Sequence, residues 1–223
     1  MSSRWSTRHW RDASGAPILT LEVPVLSSPR DNPMQAQHAI GNLFAKLDRE
    51  IWIVTSSDGD QQGGLIATAF ETASVVPEMP RVIIGIGKQH FTYDLIEASG
   101  RFAAHLITEE QIDYAWKFGT SSGHNIHKFT DIDASESKLG NPLLPQSIGW
   151  LDCRVEAKLD AGERVWYLAE VVDGKMNNDE TPLTVHRLFQ DAPNDKLAAL
   201  GAQLQKDVAL DTEAICRWRE GKA

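Results

Sequence analysis

Short β-rich runs, each closed by turn chemistry, follow one another from Ile51 to Val172, and few folds can accept such a chain. Ile51-Trp52-Ile53-Val54-Thr55 and Leu65-Ile66-Ala67-Thr68-Ala69-Phe70 flank the Gly-rich segment 58–64, which predicts a β-hairpin with a long turn. Arg81 to Gly87 reads as a buried strand with glycines where another group approaches the backbone. Arg101 to Ile107 is a further strand, and the runs 150–159 and 164–172 pair across a turn at Asp160-Ala161-Gly162-Glu163. Six or more hairpin-connected strands predict a mainly β fold with peripheral helices. A small antiparallel barrel is the economical form, because closure removes exposed sheet edges.

Helical signals lie between and beyond the strands. Asn32-Pro33 resembles an N-cap with proline at N1, and Ala36, Ile40, Leu43, Phe44 and Leu47 follow at helical spacing, predicting a helix over 33–47. Thr92 is placed to cap a short helix that Gly100 stops. Thr108 and Gln111 form a capping box that opens a helix to about Phe118. From Asn194 onward, Leu197, Leu200, Leu204 and Val208 recur at three or four residues. The chain therefore divides into an N-terminal arm (1–31), a barrel domain (32–190) and a C-terminal helical extension (191–223). The arm shows no sustained period, and Trp5 and Trp10 within it are expected to dock on the body or on a second subunit.

Composition removes several function classes. A formal charge of -9 argues against a basic surface for nucleic acid. It leaves room for an anionic cofactor, since a phosphate is held by local N–H groups rather than by net charge. The two cysteines, Cys153 and Cys216, have no zinc-like spacing, and a reducing cytoplasm suits them. Apolar stretches are strand-sized, so neither export nor membrane insertion is expected. His124 and His127 have a spacing that can place two imidazoles on one helix face, but no third ligand accompanies them and no metal is expected. Cys153 reads as a buried strand thiol.

Three stretches together carry a family resemblance. They are Gly64 to Phe70 with Ser74-Val75-Val76-Pro77-Glu78-Met79-Pro80; Arg81 to Ile96 with Ser99-Gly100-Arg101-Phe102; and Phe118-Gly119-Thr120-Ser121-Ser122-Gly123-His124-Asn125-Ile126-His127-Lys128-Phe129. With Trp150-Leu151-Asp152-Cys153 they resemble the flavin-reductase-like family, flavoredoxins included, over about residues 40–175. The resemblance implies an FMN-binding split β-barrel, with FAD possible, usually as a homodimer with the flavin at the interface. It implies that Ala67, Thr68, Ala69, Phe70 and Glu71 line the isoalloxazine with Ser74 nearby. Lys88, Gln89, His90 and Thr92 would meet the phosphate and ribityl chain, and Lys128 the flavin edge. Backbone donors at a strand end and a helix start suit those tasks chemically.

The activity so implied is NAD(P)H-dependent flavin reduction with a small-molecule electron donor, serving a partner monooxygenase or redox protein. No side chain is assigned as catalytic, since hydride transfer to a flavin needs mainly stacking and orientation. The sequence departs from the family where many members have Gly-Asp-His in the final hairpin: here it reads Gly162-Glu163-Arg164. Arg164, on the nicotinamide or substrate side, can act as a fixed cation but not as a proton shuttle. That departure keeps a second class open, an electron carrier or a flavin- or haem-binding barrel without nicotinamide chemistry.

Overall fold

A computed structural model describes residues 5–11, 17–24, 33–190 and 192–221, with side-chain surroundings from residue 38 onward. The chain forms two compact units, Met1–Leu47 and Asp48–Ala223.

In the first unit, β1 (Trp5–Arg11) pairs antiparallel with β2 (Pro17–Pro24), and α1 (Pro33–Phe44) follows. The hairpin corrects the expectation of an arm without regular structure. Its signal is a short period-two pattern, Leu19, Leu21 and Val23 alternating with Thr20 and Glu22. The docking expected of Trp5 and Trp10 and the cap expected of Asn32 lie outside the described residues.

The second unit is built on one antiparallel sheet of seven strands. In chain order these are β3 (Trp52–Asp58), β4 (Gln61–Ala67), β5 (Phe70–Thr72), β6 (Arg81–Gly87), β7 (Arg101–Leu106), β10 (Gly149–Asp160) and β11 (Arg164–Met176). A small separate pair, β8 (Ser135–Glu136) with β9 (Pro142–Leu143), precedes β10. The order across the large sheet is β4-β3-β7-β10-β11-β6-β5. It curls into a half-barrel. Its two edges, β4 and β5, are consecutive in the chain, so Thr68 and Ala69 carry the backbone from one edge to the other.

The β3–β4 connection is tighter than expected. Asp58 pairs with Gln61, leaving Gly59 and Asp60 as the loop, with Gly59 at φ +55°. Gln61 to Gly64, read from composition as turn, belong to β4 because both Gly63 and Gly64 are pressed by packed side chains. A Cβ on Gly63 would lie 2.8 Å from Leu95 Cδ1, and one on Gly64 would lie 2.6 Å from Phe118 Cε1. The glycines are there for close packing, not for turning.

Helices cover both faces of β3, which is why nearly all of its residues are buried. On one side α2 (Phe91–Ser99) helps enclose a core of Val54, Ile84, Ile86, Ile96, Phe102 and Tyr167. On the other, α3 (Ile112–Thr120) packs Trp116 and Phe118 with Ile51, Ile53, Ile107 and Leu183. Each such buried side chain contributes about 1.5–3 kcal/mol of transfer free energy. The Thr108–Gln111 capping box is present and opens a 3-10 turn leading into α3. Gly100 ends α2 in the left-handed region at φ +68°. The chain closes with α4 (Val185–Gln190), which had no sequence signal, and α5 (Asn194–Glu220).

Candidate functional site

Three pieces of the chain converge where the sheet edges meet. The end of β4 brings Leu65, Ile66 and Thr68. The start of α2 brings Gln89, His90, Phe91 and Thr92, and the end of α3 with the loop beyond it brings Phe118 to Gly123. Between them lies a cavity of about 340 Å³, with Lys128 in its wall and Leu200, Gln203, Leu204 and Asp207 of α5 above it. That volume falls in the range of about 300–1,000 Å³ that small-molecule sites occupy.

The start of α2 is organised differently from the sequence expectation. His90, not Thr92, is the N-cap residue, at φ -93° and ψ 134°, and no side chain bonds to the first-turn amides. Thr92 is buried against the sheet, its Oγ1 3.3 Å from the position a Cβ on Gly63 would take. The first turn therefore presents N–H groups without a side-chain cap, an arrangement suited to an anion. The His90 imidazole is held below its ordinary value, chiefly by burial. Gly119 and Gly123 keep the opposite wall close. A Cβ on either would lie 2.8 Å from Ile66 Cδ1 or 2.7 Å from Phe91 Cδ1 respectively.

Lys128 is the most unusual charge in the cavity. It is 3% exposed, and its Nζ donates to the carbonyls of Gly64 at 2.8 Å and Phe118 at 2.9 Å. Its ammonium also lies 5.6 Å from the centre of the Phe118 ring. Burial pulls its pKa down to about 8.

Of the residues read from sequence, Thr68, Gln89, His90, Thr92 and Lys128 meet at this cavity. The others lie elsewhere. Ala67 is buried in the core, the Ala69 carbonyl accepts from Gly85 N–H, and Phe70 stacks on Trp52 at 4.1 Å. Glu71 is exposed, and Ser74 Oγ accepts from Val76 N–H in its own loop. Lys88 turns to Asp160, reaching its carboxylate oxygens at 2.7 and 2.8 Å. It lines a second hollow with Asp160, Gly162, Glu163 and the α5 residues Asp211, Arg217 and Trp218; Gln89 borders both spaces. Arg164 Nε bonds to Glu163 Oε1 at 2.8 Å. His124 packs edge-on to Phe91, with Nε2 3.9 Å from Asp94, and among the described residues no group of three metal-ligating side chains gathers. Cys153 is fully buried, and burial pushes its thiol up.

Two parts of the cavity were not assigned from sequence. The 119–123 segment carries the family motif without a residue role of its own, and its glycines and serines are the sign of a close wall. The α5 residues had only a helical period, which says that one face is apolar and not what that face covers.

An uncapped helix start, a buried ammonium and flat aromatic walls suit a planar, anion-bearing ligand, and a flavin has that shape and charge. The comparisons agree on the fold. This chain is 33% identical over 113 residues to the flavin-dependent monooxygenase reductase subunit HsaB of Mycobacterium tuberculosis, covering 51% of this chain and 58% of that relative. The HsaB of Rhodococcus jostii is 30% identical over 137 residues, with 61% and 68% covered. The chain thus spans little more than half the length of the Mycobacterium relative. Among solved structures, the nitrilotriacetate monooxygenase component B homologue of Mycobacterium thermoresistibile superposes at a TM-score of 0.60 and 24% identity, covering 69% of this chain and 84% of the other. The NADH:FAD oxidoreductase SgcE6 of Streptomyces globisporus gives 0.59 and 21%, covering 73% and 92%. The family model described as "Flavin reductase like domain" matches residues 44–190, which hold the whole seven-stranded sheet and every cavity residue except those of α5, and the chain belongs to that family.

Proposed function

We propose that this protein is an NAD(P)H-dependent flavin reductase that holds FMN, or FAD in its place, in the cavity between β4, α2 and the end of α3. The observation that carries the reading is the convergence of an uncapped helix start, the strand end at Leu65, Ile66 and Thr68, and a buried cation on one cavity inside the family-matched segment. The flavin, when bound, supplies the hydride-accepting ring. The chain's own residues bind and orient it. The first-turn N–H groups of α2, with Gln89 and His90, take the polar tail, while Thr68 and the backbone of 119–123 border the ring slot. The α5 residues Leu200 and Leu204 shield the slot from water. No proton-transferring side chain is required. We extend the reading to a homodimer in the cytoplasm that hands reduced flavin to a monooxygenase. Support for the partner comes from the relatives whose names describe monooxygenase reductase subunits.

The test is the visible spectrum of purified protein with added FMN, before and after one equivalent of NADH or NADPH. Flavin absorption that bleaches within seconds supports the proposal. Protein that takes up neither FMN nor FAD refutes it. One observation favours a second reading, an electron carrier without nicotinamide chemistry. Arg164, the cation read from sequence as standing on the nicotinamide side, is bound to its neighbour Glu163. Stopped-flow mixing separates the two, because a carrier would bleach with dithionite and with neither nicotinamide.

A further inference from the structure

Lys128 reaches no counter-charge. Among the described residues no carboxylate comes within ion-pairing distance of its ammonium, and its two hydrogen bonds go to neutral carbonyls. Charged and titratable groups approach from several elements without pairing with it. These are His90 at the start of α2, Asp207 on α5, and Asp60 of the β3–β4 turn and His127 beside the lysine, which share a shallower hollow with it. A buried ammonium without an anion is costly, because it has given up hydration without a Coulombic return. Three N–H bonds radiate from Nζ, and two of them are used. A purely structural tie between β4 and α3 would not need to border a cavity on both sides.

We infer that Lys128 is the anion-recognition group of this site, receiving the negative charge of the bound flavin's phosphate, so that binding draws a proton from solvent onto Nζ. The inference rests on the flavin reading above and goes further by naming the group that answers the ligand's charge. The neutral amine takes one proton to become the ammonium, and no other bond changes. The sign follows from linkage. Before binding, the lysine titrates at about 8, and an adjacent anion moves it back toward the ordinary value of 10.5. Uptake should therefore be small at pH 7, about half a proton at pH 8, and close to one at pH 9.

The experiment is isothermal titration of the full chain with FMN at pH 7, 8 and 9, in pairs of buffers with different ionisation enthalpies. The buffer dependence reads the protons taken up. His90, held below its ordinary value by burial, would add uptake that declines from pH 7 to pH 9, the opposite trend to that of Lys128. We expect uptake to rise with pH in the native protein, to vanish in Lys128→Arg, whose guanidinium does not titrate, and binding to weaken at least tenfold in Lys128→Met. Riboflavin, which lacks the phosphate and whose oxidised ring is neutral at these pH values, is the control. Uptake with FMN and not with riboflavin supports the phosphate contact, and equal uptake with riboflavin overturns it. FMN binding with no uptake at pH 8 and 9 overturns the inference while leaving the flavin reading intact. Absence of any flavin binding overturns both.

Discussion

His105 sets a pH threshold for folding that can be worked out from its surroundings. It lies on β7 and is fully buried. Its Nδ1 is 3.0 Å from the Ile53 carbonyl, and its Nε2 faces the N–H of Leu144 at 3.2 Å. Those partners require the neutral tautomer, with Nδ1–H donating and Nε2 accepting. A second proton would set one N–H against another in a dry interior. The imidazole is accordingly held at about 4, chiefly by burial, against an ordinary value of 6.5. A depressed folded value means that between these limits the unfolded chain binds the extra proton and the native protein does not. The contribution is whole above pH 6.5 and is lost as pH falls toward 4. The difference corresponds to about 3 kcal/mol in full, with about 1 kcal/mol gone by pH 5.5. Urea unfolding at pH 7.5, 5.5 and 4.5 would measure it, with His105→Asn as the reference. The variant is expected to be less stable at pH 7.5, because one of two buried partners goes unmet, but to lose less on acidification. Parallel pH profiles for the two proteins would refute the assignment of a neutral, twice-bonded imidazole.

Three further outcomes follow from contacts at the site. Gly64→Ala places a methyl 2.6 Å from the Phe118 ring, which should cost about 1–3 kcal/mol and disturb the cavity wall, lowering both the thermal midpoint and flavin affinity; an unchanged midpoint would mean that the ring has room to move. Trp218 fastens the far end of α5 to the β10–β11 turn, with Nε1–H donating to the Asp160 carbonyl at 3.1 Å. Since α5 buries no residue fully, Trp218→Ala should speed flavin exchange and raise hydrogen exchange along 200–210; identical exchange rates would show that the roof is held elsewhere. Arg164→Ala is expected to raise the Michaelis constant for the nicotinamide while FMN stays bound, and loss of flavin instead would put Arg164 in the cofactor shell.

Much of the body was legible along the chain because local chemistry decides it. The β-rich runs from 51 to 172, the stop at Gly100 and the Thr108–Gln111 capping box depend on residues that are neighbours in sequence. The stop and the box stand where local rules put them, and the runs hold strands, although 61–64 extend β4 and the run 65–70 is divided between β4 and β5. So was the family, carried by several ordered motifs. What could not be read was the direction in which adjacent residues point. Ala67 enters the core while Thr68 borders the cavity, and Lys88 turns to Asp160 while Gln89 stays at the site. Those choices hang on strand register and on partners some seventy residues away. The uncompensated burial of Lys128 and the placing of α5 over the cavity are likewise set by contacts between distant segments. A local pattern can announce a strand or an apolar face, but only the packed chain decides what that face meets, because burial and charge pairing belong to the whole fold.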